Sequence, residues 1–592
     1  MPPRLASWAA VPVALVAAAA LVRLIHPALL TNLSPDWLPW LVLLWLVVVA
    51  GTAAAFLAAR RLLSGLSATP IVADALPAVP FSRSSLAGLA VAAFLAGTVL
   101  RLAFLEEVPF PLWTDDVSLI PAARALTGRP ADFANAIRPA PFGVAKVYGT
   151  VGVLYLELYR ASLSLFDSTV LGVRLPSALA GIASLATAAL LGRELLPRGG
   201  GALTLLALAG LRWHLILSRW AWVAVVLVPV VDLAAWLLLR GRRRRAGGLA
   251  FAAGLAAGVG AHVYLAAWAA AAGLLLLALW PDEERSPLRR RALCATLFTA
   301  GFALAALPLF LLRGGRTYGY FVRTGYNLAV QVKRERTPLP VLTVTADALA
   351  APWFVADPIA RNDLPGRSRL GFLLGVPFAL ALARAALRPR EPVAGFLLAH
   401  AAAATAAAVV GGGALHPNGY RFAYLTSPVA VGVAAGTLAL LSLAPEPRRR
   451  AALLLAAGAL AVAGALGARD ALERWPYARE TFHAFSGRDT LLGRSTLRWS
   501  RFGTVAIAAD LPLDRNLARR IVEDRVVPRA ERSRGAIDGS PAAAPRRLFR
   551  LQRADAPPPA GARVVERVVD AWGRARGVVV ALPAAPAGPP VE

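Results

Sequence analysis

Residues 86–104, LAGLAVAAFLAGTVLRLAF, are followed a few positions later by 113–126, WTDDVSLIPAARAL. The first stretch can cross a bilayer, because about 20 apolar residues span a hydrocarbon core roughly 30 Å thick. Two adjacent carboxylates, Asp115 and Asp116, therefore stand just outside the hydrocarbon. Similar apolar blocks recur along the 592 residues, of which 57% are hydrophobic, and the mean hydropathy is +0.59. The chain reads as a polytopic α-helical membrane protein.

Apolar runs near 7–25, 38–59, 86–104, 174–193, 202–218, 221–239, 246–262, 264–280, 292–312, 370–388, 393–411, 424–444 and 451–467 give about 13 transmembrane helices. The net charge of +29 would suggest nucleic acid in a soluble protein. Here much of the excess lies in short loops, as in Arg60-Arg61, Arg242 to Arg245, Arg289 to Arg291 and Arg448 to Arg450. The positive-inside rule makes those loops cytoplasmic. The alternate loops, with little beyond His26, Asp36, Arg219, His262, His416 and Arg421, then face out. An odd number of spans puts the N-terminus in the cytoplasm and the C-terminus outside. The first apolar run, behind Met1-Pro2-Pro3-Arg4, is longer than a signal-peptide core and is expected to be an anchor helix.

Three long segments fall on the outer side: loops 105–173 and 313–369, and the tail 468–592. The domains expected are thus two N-terminal helices (1–85), a transmembrane core (86–467) and a small extracytoplasmic α/β domain (468–592). In the first loop, residues 147–166 are apolar and aromatic on part of a helix, interrupted by Glu157 and Arg160, a pattern suited to the membrane interface. In the tail a helix is expected over 471–485 and strands over 502–509 and 576–582. A single cysteine, Cys294, excludes disulfides within the chain and thiolate metal clusters.

Asp115 and Asp116 have a plain reading as a helix start, with Thr114 or Asp115 as the cap and acidic residues in the first turn. Their place at the membrane surface supports a catalytic reading. Neighbouring carboxylates perturb each other's ionisation, so one can act as a base while its partner orients it or holds a divalent metal ion. The cations Arg219, Lys146 and Arg421 are candidates for an anionic lipid head group, against the alternative that they snorkel. His262 with Tyr264 lies at an outer turn and could line the same site. Asp232 and His400 fall inside spans and need partners there. The chain has no phosphate-binding glycine loop, no Ser/His/Asp signal, no nucleotide fingerprint and no metal-ligand spacing of histidines.

These features together resemble the GT-C glycosyltransferases of the family 39 type, which includes protein O-mannosyltransferases and lipid A aminoarabinose transferases. The resemblance rests on the acidic dyad followed by Ala123-Arg124-Ala125-Leu126, on the run from Arg174 (RLPSALAG), on Leu217-Ser218-Arg219, on Asp357-Pro358 with Arg361 to Gly366, and on Tyr420-Arg421-Phe422. It covers roughly 86–467, a core of about 11 spans. It implies a polyprenyl-phosphate-linked sugar donor, a lipid, glycan or protein acceptor, and inverting transfer on the outer face of a bacterial cytoplasmic (inner) membrane. Asp115 takes the place of the catalytic carboxylate, and Asp116 stands where the family often has Glu. Lys146 falls where some members have a lysine near the lipid phosphate. Two other classes stay open: a flippase or transporter of lipid-linked sugars, and a non-catalytic envelope assembly protein.

Overall fold

The computed structural model describes residues 76–128, 152–167, 169–281, 286–311, 335–337, 339–411, 418–513 and 547–582, with positions 517 and 521. The first two expected spans and Lys146 lie outside the described residues. Helices occupy every other place where the sequence predicts a span. They are α1 (Arg83–Leu102), α4 (Val170–Leu195), α5 (Gly200–Ala209) with α6 (Arg212–Leu217), α7 (Leu227–Arg244), α8 (Gly247–Ala261), α9 (Ala267–Leu279), α10 (Leu288–Leu311), α12 (Gly371–Leu387), α13 (Pro392–Gly411), α14 (Thr426–Leu441) and α15 (Arg449–Arg469). Between them lie α2 (Thr114–Arg124), α3 (Val153–Phe166) and α11 (Leu339–Ala350). Six described segments are long and apolar enough to cross a membrane, or up to seven if the bent pair α12 and α13 counts as one.

Local chemistry sets where these helices begin and how closely they pack. Ser82 caps α1 by accepting from the Ser85 amide, and Thr169 caps α4 by accepting from that of Gly172, each satisfying a donor that a helix start leaves unpaired. α8 crosses α10 through Gly254 and Gly258; a Cβ on Gly254 would lie 2.0 Å from the Phe298 carbonyl oxygen. Such small-residue contacts let backbones approach where burial against lipid supplies no drive.

The span expected at 202–218 is two helices, because Arg101 of α1 intervenes. Its guanidinium donates to the carbonyls of Leu208 and Ala209, both at 3.3 Å, and meets His214 Nδ1 at 2.7 Å. The last carbonyls of α5 are thereby satisfied by a side chain, and α6 starts on a new axis. Asp232 of α7 is also locally satisfied: Thr187 and Ser427 donate to its Oδ2 at 2.8 and 2.7 Å. His400 bonds within its own helix to the Phe396 carbonyl. Both in-span polar groups are buried in helix contacts.

α3 packs Tyr155, Leu156, Tyr159 and Leu163 inward and leaves Leu158 and Leu165 exposed. Glu157 and Arg160, which interrupt its apolar face, pair with each other at 2.7 Å.

The tail does not begin with a clean break. α15 runs on through a π-helical turn, Asp470–Arg474, and two short helical turns, Trp475–Tyr477 and Arg479–Ala484, where one helix over 471–485 is expected. α16 (Gly487–Ser500) then leads into a four-stranded sheet of β1 (Gly503–Ile507), β2 (Arg547–Gln552), β3 (Arg563–Val569) and β4 (Ala575–Ala581). Its order is β1-β2-β4-β3, with β1 parallel to β2 and the other pairs antiparallel. The two expected strands are β1 and β4. α16 covers the sheet, with Leu492 buried against Phe549, Leu551 and Val579.

Candidate active site

The segment leaving α1 is held by two fully buried arginines. Arg174 of α4 donates to the carbonyls of Leu105 and Pro111, each at 2.9 Å. Arg219, just beyond α6, donates to those of Leu100, Ala103 and Phe104 at 2.6, 2.6 and 2.9 Å. A helix end leaves carbonyls that need donors, and a guanidinium fork supplies several at fixed geometry. Arg219 is therefore turned inward, onto the end of α1.

Held in this way, the chain turns at Leu112, whose amide donates to the Thr490 hydroxyl of α16 at 3.1 Å, and enters α2. The cap residue is Trp113, one position before the expected caps, and it makes no side-chain capping bond. Asp116 reaches back instead and accepts from the Trp113 amide at 3.4 Å. The Asp116 side chain is fully buried, and its Oδ1 has no hydrogen-bond partner. Tyr159 of α3 donates to its backbone carbonyl at 2.7 Å. Burial pushes the Asp116 carboxyl up to about 8, against the opposing pull of Arg174 and Arg361. Asp115 is only half-buried.

The second half of the site arrives from residues 357–370. Arg361 lies 4.0 Å over the Trp113 ring, a cation–π contact. Burial lowers its pKa, and the first charges opposing that are Asp116 and Asp115. The surrounding turn is fixed by Asp357, which accepts from the amide of Ile359, the amide of Gly419, the Asn362 side chain and Arg369. Burial raises the Asp357 pKa, and Arg369 is the first of the groups opposing it. Asn362 also donates to the Asn418 side chain at 3.0 Å, which fastens this turn to the one carrying Tyr420 and Arg421.

An aromatic floor joins the parts. Trp113 lies 5.6 Å from Trp220 and 4.9 Å from Trp222, whose rings stack 6.0 Å apart. Tyr420 stands edge-on to Trp222 at 6.1 Å and is 6.2 Å from Tyr264. Arg421 is half-buried beside Tyr420 and Tyr264. The fold thus brings Asp115, Asp116, Tyr264 and Arg421 to one region. His262 is different: its Nε2 contacts the Ala305 carbonyl of α10 at 2.8 Å. Its backbone seats α3, where Gly152 comes so close that a Cβ would clash with the His262 carbonyl. Trp113, Trp220, Trp222 and Arg361 are site residues to which the sequence analysis gives no role.

The tail contributes as well. Arg361 donates to the Ala484 carbonyl at 2.5 Å, and Trp475 donates to that of Ala360 at 2.7 Å. Phe485 meets Trp220 edge-on, and Arg494 lies over Phe110. Behind them Arg212 binds Asp363 at 2.6 Å and Asp470 at 3.1 Å.

Among the described residues no three His, Cys, Asp or Glu side chains gather to hold a metal ion. The charges that act on Asp116 besides Asp115 are those of Arg174 and Arg361, a field that opposes a divalent cation. Among the described residues the dyad has no further acidic or histidine side chain grouped with it to complete a metal site.

Residues 153–310, from α3 through most of α10, match the family model described as dolichyl-phosphate-mannose-protein mannosyltransferase. No curated protein sequence matches the chain. Among solved structures, the chain is similar to ArnT from Cupriavidus metallidurans bound to undecaprenyl phosphate, at 17% identity, TM-score 0.47, covering 86% of this chain and 100% of that one. It is also similar to the archaeal oligosaccharyltransferase AglB from Archaeoglobus fulgidus, in complex with an inhibitory peptide and a dolichol-phosphate. There the identity is 15% and the TM-score 0.46, over 71% of this chain and 58% of the archaeal one.

Proposed function

We propose that this chain is a GT-C-type membrane glycosyltransferase, a reading supported by the family-model match over residues 153–310, and that it moves a sugar from a polyprenyl-phosphate donor to an acceptor hydroxyl or amine. The observation that carries the reading is the meeting of the Asp115–Asp116 pair with Arg361 over the floor of Trp113, Trp220 and Trp222. That meeting lies where α1 leaves the apolar layer, within reach of a lipid-borne substrate. The short loops on this edge are poor in arginine, which supports an extracytoplasmic placement.

The chemistry follows from the two carboxyl environments. A pair of titratable groups pushed apart by their surroundings divides acid and base roles between them. Asp116, buried and shifted upward, carries the proton near neutrality and leaves Asp115 as the accessible carboxylate. Asp115 then takes the acceptor's proton as the acceptor atom attacks the anomeric carbon. The bond to the phosphate oxygen breaks on the opposite face, so the configuration inverts. The lipid phosphate is a good leaving group and needs no strong acid; fixed cations at the developing charge are what help it. Arg361 and Arg421 are the candidates for that role, in place of Arg219. Trp113, the partly exposed ring of the three, backed by the buried pair Trp220 and Trp222, offers the apolar sugar face a rigid surface.

The test is transfer by the purified protein from a radiolabelled polyprenyl-phosphate sugar to an envelope extract. Arg361→Met is expected to weaken donor use about 10²-fold or more in kcat/KM, the usual scale for removing one such donor. Full activity in that variant would remove Arg361 from the site.

A further inference from the structure

The tail segment 484–490, AFSGRDT, reaches both halves of the site and its floor. At one end the Ala484 carbonyl accepts from Arg361 at 2.5 Å. Phe485 is fully buried edge-on to Trp220 at 5.6 Å and to Trp475 at 5.7 Å, and the Trp475 indole donates to the Ala360 carbonyl at 2.7 Å. At the other end, in the first turn of α16, the buried Thr490 hydroxyl accepts from the Leu112 amide at 3.1 Å. It donates toward the carbonyls of Ser486 and Leu112 at 3.2 and 3.4 Å. Between the two ends Ser486 lies in the left-handed region, at φ 52° and ψ 43°. A non-glycine residue there is strained and persists only when its surroundings fix it.

An interface that only glued the tail to the core would need apolar burial and no particular polar partners. Here the polar contacts fall on the residues that carry the site. Leu112 begins the turn into Asp115 and Asp116, and Ala360 immediately precedes Arg361. The dyad and Arg361 sit on separate loops of the core, and one short stretch of tail grips both. Arg174 holds the Pro111 carbonyl from the core side at 2.9 Å, so the turn into α2 is pinned between core and tail. We infer that the segment Ala484–Thr490 sets the spacing between the dyad and Arg361, with Thr490 a positioning residue for sugar transfer. Its hydroxyl fixes Leu112, and through Leu112 the line along which Asp115 meets the acceptor. The inference rests on the transfer reaction proposed above. A misplacement of about 1 Å at a reacting group can cost on the order of 10²-fold in rate, and that is the lever through which Thr490 acts.

The experiment compares Thr490→Val, which keeps the shape and removes the hydroxyl, with Thr490→Ser, which keeps the hydroxyl, in the full chain supplied with a radiolabelled polyprenyl-phosphate sugar. The Val variant should lose about tenfold or more in kcat with donor KM within about twofold of wild type, the pattern of a lost transition-state alignment. The Ser variant should recover most of the rate. Thr496→Val, on the same helix with its hydroxyl bonded to the Leu492 carbonyl, should transfer at the wild-type rate. Hydrogen–deuterium exchange gives a readout that needs no substrate: peptides covering 105–124 should exchange faster in Thr490→Val, and the four strands as in wild type. If Thr490→Val does not fold, Trp475→Phe is the second probe. It frees the Ala360 carbonyl and should lower kcat/KM for the donor by about tenfold, with exchange in the strands unchanged. The inference is overturned by wild-type kinetics in Thr490→Val or, where that variant does not fold, in Trp475→Phe. A Ser variant as slow as the Val variant, an equal loss in Thr496→Val, or exchange that rises in the strands and not at 105–124 would also overturn it. A wild type that transfers no sugar sinks the proposed function instead, and the exchange result then decides by itself whether Thr490 fixes the dyad.

Discussion

Asp116→Asn tests the electrostatic design of the site through stability alone. The wild-type carboxyl is buried and held at about 8, against an ordinary aspartate value of 3.8. A group whose pKa is raised in the folded state contributes stability below its unfolded value and loses it as pH rises through the folded value. For Asp116 that window runs from about pH 4 to about pH 8, and at 1.36 kcal/mol per unit the loss is on the order of 5 kcal/mol. Other carboxyls titrate in the lower part of this range, so only the difference between variant and wild type isolates Asp116. Asn is nearly isosteric with the neutral acid. At pH 5 the two proteins should unfold within a degree or two of each other. By pH 8.5 the variant should be the more stable by several degrees, read as the unfolding midpoint of detergent-solubilised protein by tryptophan fluorescence. A difference that stays flat from pH 5 to 9, or grows in favour of the wild type, would refute the burial argument and, with it, the division of roles between the two carboxyls.

Two further substitutions separate scaffold from chemistry. Arg219→Met strands the carbonyls of Leu100 and Ala103 at the end of α1, while that of Phe104 keeps the Glu107 and Val108 amides, at roughly 1–3 kcal/mol for each buried acceptor left unpaired. It should lower the unfolding midpoint sharply, and a change confined to donor KM at wild-type stability would restore Arg219 to the phosphate site. Arg212→Met leaves Asp363 and Asp470 buried without their shared partner, at about 3–5 kcal/mol for a broken buried pair. Limited proteolysis should then cut between the core and the tail faster than in wild type; an unchanged cleavage rate would mean the tail does not depend on this link.

The sequence shows the helical framework and not the partners across it. A long apolar block reports its own burial, so the positions of α1, α4, α7, α8, α10 and α15 follow directly from composition. The break between α5 and α6 does not, because its cause is Arg101, more than a hundred residues away. The inward turn of Arg219 is hidden in the sequence for a related reason. Its place at the outer end of a span suits phosphate binding and carbonyl capping equally well, and only the end of α1 decides between them. Asp115 and Asp116 are visible as an adjacent pair, but their division into half-exposed and buried is set by Tyr159, Arg174 and Arg361 packing from elsewhere. Arg361 belongs to a stretch that the family resemblance marks; its contact with Trp113 is a matter of tertiary structure. β2 (RLFRLQ) and β3 (RVVERVV) are arginine-bearing strands in a tail rich in Pro and Ala, where the alternation expected of a half-buried strand is weak.

The central claim is that Asp115 is the base for sugar transfer, and single-turnover transfer by Asp115→Asn, measured beside binding of the radiolabelled polyprenyl-phosphate sugar, tests it most directly. The account predicts transfer slowed by about 10²–10⁴-fold with donor binding close to wild type. Transfer at the wild-type rate by the Asn variant would contradict it.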